Sequence, residues 1–151
     1  MISTKSEILL VEDSQDDADL ALRALRNGKL NNNIHVVEDG EEALDYLFCR
    51  GSYADRYFEQ PPVLVLLDLK LPKVSGIEVL EQVKRDPRTR TIPVVVMTSS
   101  SEDRDVELAF KLGANSYVQK PVDFVQFQET VKTVGLYWLV INRSPTCVSG
   151  A

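Results

Sequence analysis

The sequence predicts an α/β fold built on a parallel sheet of five strands with helices on both faces. Three observations predict it. Short aliphatic runs alternate five times with stretches of helical spacing. The third run, Val63-Leu64-Val65-Leu66-Leu67, is apolar at every position, as in a strand covered on both sides. Turn formers such as Asp39-Gly40, Pro72 and Gly113 punctuate the alternation. Strand–helix units in series then imply parallel pairing with right-handed crossovers.

Taken in order, Ile8 to Val11 is the first strand, and Asp16 to Asn27 is a helix through Leu20, Leu22 and Leu25, with Gly28 as its stop. Ile34 to Val37 is the second strand, and Asp39-Gly40 turns into a helix from Glu41 to Phe48. After the third strand, Ser75 is placed to cap a helix that runs to about Arg85, where Asp86-Pro87 ends it. Pro93 to Met97 is the fourth strand and Glu102 to Leu112 the fourth helix, closed by Gly113. Ser116 to Val118 is a short fifth strand, and Asp123 caps a last helix reaching towards Trp138 or Ile141. One connection is long for its type: Cys49 to Pro62, with Tyr53, Tyr57 and Phe58, falls at the amino-terminal edge of the strands. It reads as a loop with aromatics tucked against the body, the alternative being a partner-docking element.

A chain of 151 residues suits one domain with a full core, and no linker, repeat or room for an output domain interrupts the pattern. Net charge is −6 and no basic stripe is present, which argues against nucleic acid or anionic lipid as partners. No run is long enough to span a bilayer and the amino terminus lacks a signal-peptide segment. Cys49 and Cys147 match no metal or disulfide spacing, so a reduced, cytoplasmic setting is the expectation. His35, the single histidine, lies in a strand and is read as structural.

The chemistry gathers at the other edge. Asp68 follows five aliphatic residues, a costly place for an ionised carboxylate without partners. It also lies at the carboxyl end of a strand, where open α/β sheets bind their ligands. The first strand ends in Glu12-Asp13-Ser14 and brings two more acids to that edge, although Asp13 or Ser14 could serve only as a helix cap. Three converging carboxylates repel one another unless a cation sits among them, and hard oxygen ligands suit Mg²⁺. The fourth strand runs into Thr98-Ser99-Ser100 and the fifth into Lys120-Pro121, adding hydroxyls and a cation. Such a set can hold a phosphoryl group, with Asp68 as an in-line nucleophile and Thr98 as a donor.

These segments together resemble a two-component response-regulator receiver domain over nearly the whole chain. The matching stretches are Ile8 to Asp13, Asp39 to Leu44, Leu66 to Pro72, Met97-Thr98-Ser99, Gly113 to Tyr117 and Lys120-Pro121. The resemblance implies a flavodoxin-like, doubly wound five-stranded parallel sheet of order 2-1-3-4-5 with five helices, and a phosphohistidine donor on a sensor histidine kinase. It implies Asp68 as phosphoacceptor, and Mg²⁺, with Mn²⁺ as an alternative, on Glu12, Asp13, Asp68 and the backbone carbonyl of Lys70. It further implies Thr98 and Tyr117 as a switch pair, Lys120 as the phosphoryl-binding lysine, and a cis bond before Pro121 aiming that lysine inwards. Read without the family, Tyr117 would be a plain strand filler. Lys70 and Ser100, two places after Asp68 and Thr98, would border the path of attacking water. Such a protein is not an enzyme beyond catalysing its own phosphorylation and dephosphorylation.

The long loop, Asn115-Ser116-Tyr117, Lys120 to Phe124 and Tyr137-Trp138-Leu139 are most similar to stand-alone response regulators paired with cyanobacterial phytochromes and bacteriophytochromes. The last helix carries a core stripe through Phe124, Phe127, Val131, Val134 and Trp138. Beyond that stripe Val125, Leu136, Tyr137, Leu139 and Val140 make its end apolar, with Phe124 also a contact candidate. A homodimer through the fourth helix, fifth strand and fifth helix is therefore expected. Two rivals share parts of this pattern. A haloacid-dehalogenase-like phosphatase needs a second acid two residues after its nucleophile, where this chain has Lys70. A non-phosphorylated pseudo-receiver betrays itself by a missing acid, lysine or acceptor, and all are present here.

Overall fold

The computed structural model describes residues 7–27 and 33–142. Gly28, named above as a helix stop, and Cys147 lie outside them. The elements are β1 (Glu7–Val11), α1 (Gln15–Asn27), β2 (Asn33–Val37), α2 (Gly40–Leu47), β3 (Leu64–Leu67), α3 (Gly76–Arg85), β4 (Val94–Thr98), α4 (Asp103–Leu112), β5 (Ser116–Gln119) and α5 (Phe124–Leu136). All strands are parallel, in the order β2-β1-β3-β4-β5.

Alternation along the strands divides the core in two. Leu9, Val11, Val65, Leu67, Val94 and Val96 point to the face covered by Leu44 and Leu47 of α2, Leu80 and Val83 of α3, and Ala109 of α4. Ile8, Leu10, Leu64, Leu66, Val95 and Met97 point the other way, onto Ala21 and Leu25 of α1 and Phe127 and Val131 of α5. Every residue of β3 is buried, because it sits mid-sheet with helices on both sides. That is the continuous apolar run read from the sequence.

Capping fixes where the helices start. Asp39 accepts from Glu42 N at 2.7 Å, Ser75 from Glu78 N at 3.2 Å and Asp123 from Gln126 N at 3.0 Å. Ser14 Oγ accepts from Asp17 N at 3.3 Å, so Ser14 rather than Asp13 caps α1 and Asp13 is left free. Gly113 ends α4 with φ 109°, a conformation that favours glycine.

The long connection lies at the amino-terminal edge, as expected. Its 3₁₀ turn, Gly51–Tyr53, puts Tyr53 against the core, and Arg56 stacks 3.6 Å from the Tyr46 ring centroid while pairing with Glu7 at 3.5 Å. His35 is structural: it stacks on Tyr46 and its Nε2 lies 2.8 Å from Tyr53 Oη.

The last helix reaches Ile141, within the expected range, but one expectation about it needs correction. Phe124 is not part of the core stripe but is 70% exposed, because as the first residue of α5 it stands beyond the sheet that Phe127 and Val131 cover. The helix also does not run on regularly. Tyr137–Ile141 forms a π-helical turn, in which Trp138 and Leu139 fold back against the core while Tyr137, Val140 and Ile141 stay exposed.

Candidate functional site

Register brings the acids together. Val11 lies opposite Leu67 and Leu67 opposite Val96, so β1 and β3 end at one level and β4 runs two residues further, to Thr98. The ladder runs one residue further: Asp68 N donates to Val11 O at 3.2 Å, and Glu12 N to Val37 O at 3.0 Å. Asp68 and Glu12 are thereby buried, while Asp13 is exposed at the rim. A Cβ on Gly76 would come within 2.2 Å of the Asp68 carbonyl, so only glycine lets the start of α3 pack beneath this turn.

Lys120 arrives from the end of β5, where its backbone N–H donates to Thr98 O at 2.7 Å. Its ammonium donates to Glu12 Oε1 at 2.6 Å, Asp17 Oδ2 at 3.0 Å and Asp68 Oδ2 at 3.0 Å. The remaining oxygens are also held, with Glu12 Oε2 accepting from Ser14 N at 3.1 Å and Asp68 Oδ1 from Lys70 N at 3.2 Å. Buried charges of this kind persist only when paired in this way. Burial pushes the Glu12 carboxyl up to about 7 against the pull of Lys120. For Lys120, burial works to lower the pKa, but the hydrogen bond to Glu12 and the charges of Asp68 and Glu12 outweigh it and hold the ammonium above its ordinary value.

Glu12, Asp13 and Asp68 each offer a carboxylate oxygen, and these lie within 4.8 Å of one another. A cluster of hard, anionic oxygens with one member at the surface fits a divalent cation such as Mg²⁺ or Mn²⁺. Lys70 lies exposed on the turn leaving Asp68. Thr98 is fully buried at the end of β4, its Oγ1 accepting from Ser100 N at 3.5 Å. Tyr117, half-buried on β5, donates from its hydroxyl to Ser100 O at 3.0 Å. Ser100 in turn donates to Asp105 Oδ2 at 2.5 Å, fastening the β4–α4 loop to the first turn of α4.

Glu12, Asp13, Asp68, Thr98, Ser100 and Lys120 thus come to this edge, with one correction to the expected geometry. No peptide bond among the described residues is cis, so the Lys120–Pro121 bond is trans. The trans form is the favoured one before proline, and Lys120 reaches all three carboxylates with it. Asp17 was missed. It stands on the first turn of α1, and the packing of that helix rather than sequence spacing turns it to this edge.

A five-stranded doubly wound sheet with an acidic cluster and a lysine at its carboxyl edge defines the class of the molecule, an α/β module with its candidate site at the strand ends. Residues 8–132 match the family model described as the response regulator receiver domain, and the chain belongs to that family. Among curated relatives, "Probable methanogenesis regulatory protein FilR2" of Methanothrix harundinacea is 45% identical over 138 residues, 91% of this chain and 86% of its own length. The structure of a phosphorylated cyanobacterial phytochrome response regulator, RcpA, aligns with TM-score 0.89 and 37% identity, covering 95% of this chain and all of that one. The Mn²⁺-bound form of the response regulator Rcp1 aligns with TM-score 0.87 and 34% identity, covering 93% of this chain and 99% of that one.

Proposed function

We propose that this chain is a receiver that takes a phosphoryl group from a sensor histidine kinase of the phytochrome type onto Asp68. The observation that carries this reading is the convergence on Asp68 of the Glu12–Asp13 cluster on one side and the Lys120 ammonium, 3.0 Å away, on the other. A carboxylate oxygen of Asp68 attacks phosphorus, the P–N bond to the donor histidine breaks, and the imidazole leaves with the electron pair and takes up a proton. Hydrolysis reverses the gain: water adds to phosphorus and Asp68 leaves as carboxylate. A divalent cation held by Glu12, Asp13, Asp68 and the Lys70 carbonyl would neutralise charge on the phosphoryl oxygens. Lys120 does the same from the opposite side, and Thr98 supplies a hydroxyl donor.

Phosphorylation adds about 1.5 to 2 negative charges where Asp68 had one. Thr98 then moves towards the new oxygens, and Tyr117 gives up Ser100 O to occupy the space. The β4–α4 loop is the two-state element that phosphate biases. The message leaves by contact or by onward transfer of the phosphoryl group, and the donor places the protein in the cytoplasm. The FilR2 likeness favours no different chemistry, since it concerns the same domain over most of both chains.

Exposed Phe124, Leu136, Tyr137 and Val140 on α5 and its π turn, with Phe110 on α4, support a homodimer through α4, β5 and α5. Leu139 contributes less, being partly buried against the protein's own core. Sedimentation at micromolar concentration is expected to give a dimer, and a monomer there removes this part of the reading.

Incubation with a small phosphodonor and Mg²⁺ tests the central claim. The wild type is expected to gain one phosphoryl group by intact mass and Asp68→Asn none. Equal labelling of both, or of neither, overturns the assignment and favours a module that only binds partners.

A further inference from the structure

We propose that Asp17 is a positioning residue that restrains Lys120 and so sets how readily Asp68 is phosphorylated; this rests on the reading of Asp68 as phosphoacceptor. An ammonium has three N–H donors, and at this edge Glu12, Asp17 and Asp68 take all three. For Lys120 to reach a phosphoryl oxygen, one acceptor has to release it. Asp68 is consumed by the new O–P bond, and Glu12 belongs to the carboxylate cluster that fits a cation. Asp17 is outside that cluster, and nothing in the reaction removes its hold on Lys120.

The fold keeps Asp17 in that position. It stands on the first turn of α1, its own N–H bound by the Ser14 cap at 3.3 Å, and its side chain is only one-third exposed. It also adds a fourth carboxylate to an edge that has to admit an anionic donor. Removing that charge while keeping the side-chain shape leaves a neutral acceptor with a weaker hold on the ammonium and lowers the repulsion felt by the incoming phosphoryl group. With acetyl phosphate as donor, Asp68 oxygen bonds to phosphorus as the P–O bond to acetate breaks, acetate leaving with the electron pair. Lys120 turns the donor released by Asp68 towards a phosphoryl oxygen in the same step, while Asp17 goes on holding another.

The test measures phosphorylation rates with acetyl phosphate and Mg²⁺ for wild type, Asp17→Asn, Asp17→Glu and Asp68→Asn. Asp17→Asn is expected to react about fivefold faster at low ionic strength, the scale of one unit charge a few ångströms away in a water-like medium. Most of that gain is expected to vanish in about 1 M salt, where screening is short-ranged, and Asp17→Glu to return towards the wild-type rate. Thermal melts of each variant and a second neutral change, Asp17→Ser, separate the restraint from damage to α1. Neutral variants no faster than a phosphorylating wild type, or Asp17→Glu as fast as Asp17→Asn, overturn the role of Asp17 alone. A wild type without Asp68-dependent uptake overturns both this role and the function it rests on.

Discussion

Two half-buried lysines stand at opposite edges of the same sheet, each donating to three oxygens. Lys120, at the carboxyl edge, donates to the carboxylates of Glu12, Asp17 and Asp68. Lys84, at the amino edge, donates to Arg90 O at 3.0 Å, Ile92 O at 2.7 Å and Asn115 Oδ1 at 2.9 Å, tying the end of α3 to the starts of β4 and β5. The hydrogen-bond count is the same and the electrostatic outcome is opposite. Lys120 is held above its ordinary pKa, with burial opposed by its anionic neighbours. Burial brings Lys84 down to about 8, because neutral oxygens satisfy its hydrogens without supplying a countercharge. One lysine ties connections together through neutral oxygens, and the other is the counterion of three carboxylates.

The largest effect that can break this comparison is at Lys120. Replacing it with Met leaves Glu12, Asp17 and Asp68 facing each other without their cation. Removing one partner of a buried ion pair typically costs about 3–5 kcal/mol. The loss for Lys120→Met is expected near the lower end at pH 8, measured by denaturant unfolding, and smaller at pH 6. The sign follows from Glu12, whose carboxyl burial already raises to about 7 against the pull of Lys120; without that pull it takes up a proton more readily still, and as pH falls one of the opposed charges disappears. Mg²⁺ is expected to recover part of the loss at pH 8. A variant as stable as wild type at pH 8 without Mg²⁺ would show that the carboxylates do not depend on Lys120.

How far this was legible in sequence follows the same divide. Strand and helix order, the buried β3 run and the meeting of Glu12, Asp13, Asp68 and Lys120 were readable, because each is set by position relative to a strand end. Asp17 was not, because its role depends on helix phase and on how α1 packs beside α5, which one-dimensional spacing only suggests. The roles of Lys84 and Asn115 escaped for a related reason: Lys84 donates to two backbone carbonyls and Asn115 Oδ1 accepts from a backbone N–H, partners that leave no residue-type signature. Phe124 was misplaced because helical periodicity assigns a face but not where along its length the sheet stops covering it. The π turn at Tyr137–Ile141 has no marker in composition, and the trans bond before Pro121 shows that geometry inherited from a family has to be checked against the chain itself.

A smaller effect is expected at the amino edge. Lys84→Met removes three donors from oxygens that are otherwise part of the α3–β4 and α4–β5 connections, of which Asn115 Oδ1 still accepts from Val94 N at 2.9 Å. The expected loss at neutral pH is about 1–2 kcal/mol, in the range for leaving polar groups unmet. Phosphorylation of Asp68 should be unchanged within about twofold, on the ground that distant sites are nearly independent. A large change in phosphorylation with Lys84→Met would mean that the two edges communicate, and the reading of Lys84 as a tie between connections would fail.

The smallest effect is the sharpest in sign. A base whose pKa is lowered on folding gives up its proton more easily in the folded state, so between about 8 and the ordinary 10.5 the unfolded chain carries more protons. The proton-linked part of the contribution of Lys84 to stability, over and above its hydrogen bonds, is then fully present above 10.5 and is lost as pH falls through about 8. Measured as the difference between wild type and Lys84→Met, stability should therefore shift in favour of wild type as pH rises from 8 to 10. The opposite slope would mean that the three oxygens favour the ammonium more than burial penalises it. In that case Lys84 would behave like Lys120, and the contrast between charged and neutral acceptors would no longer explain why only one edge of the sheet carries the chemistry.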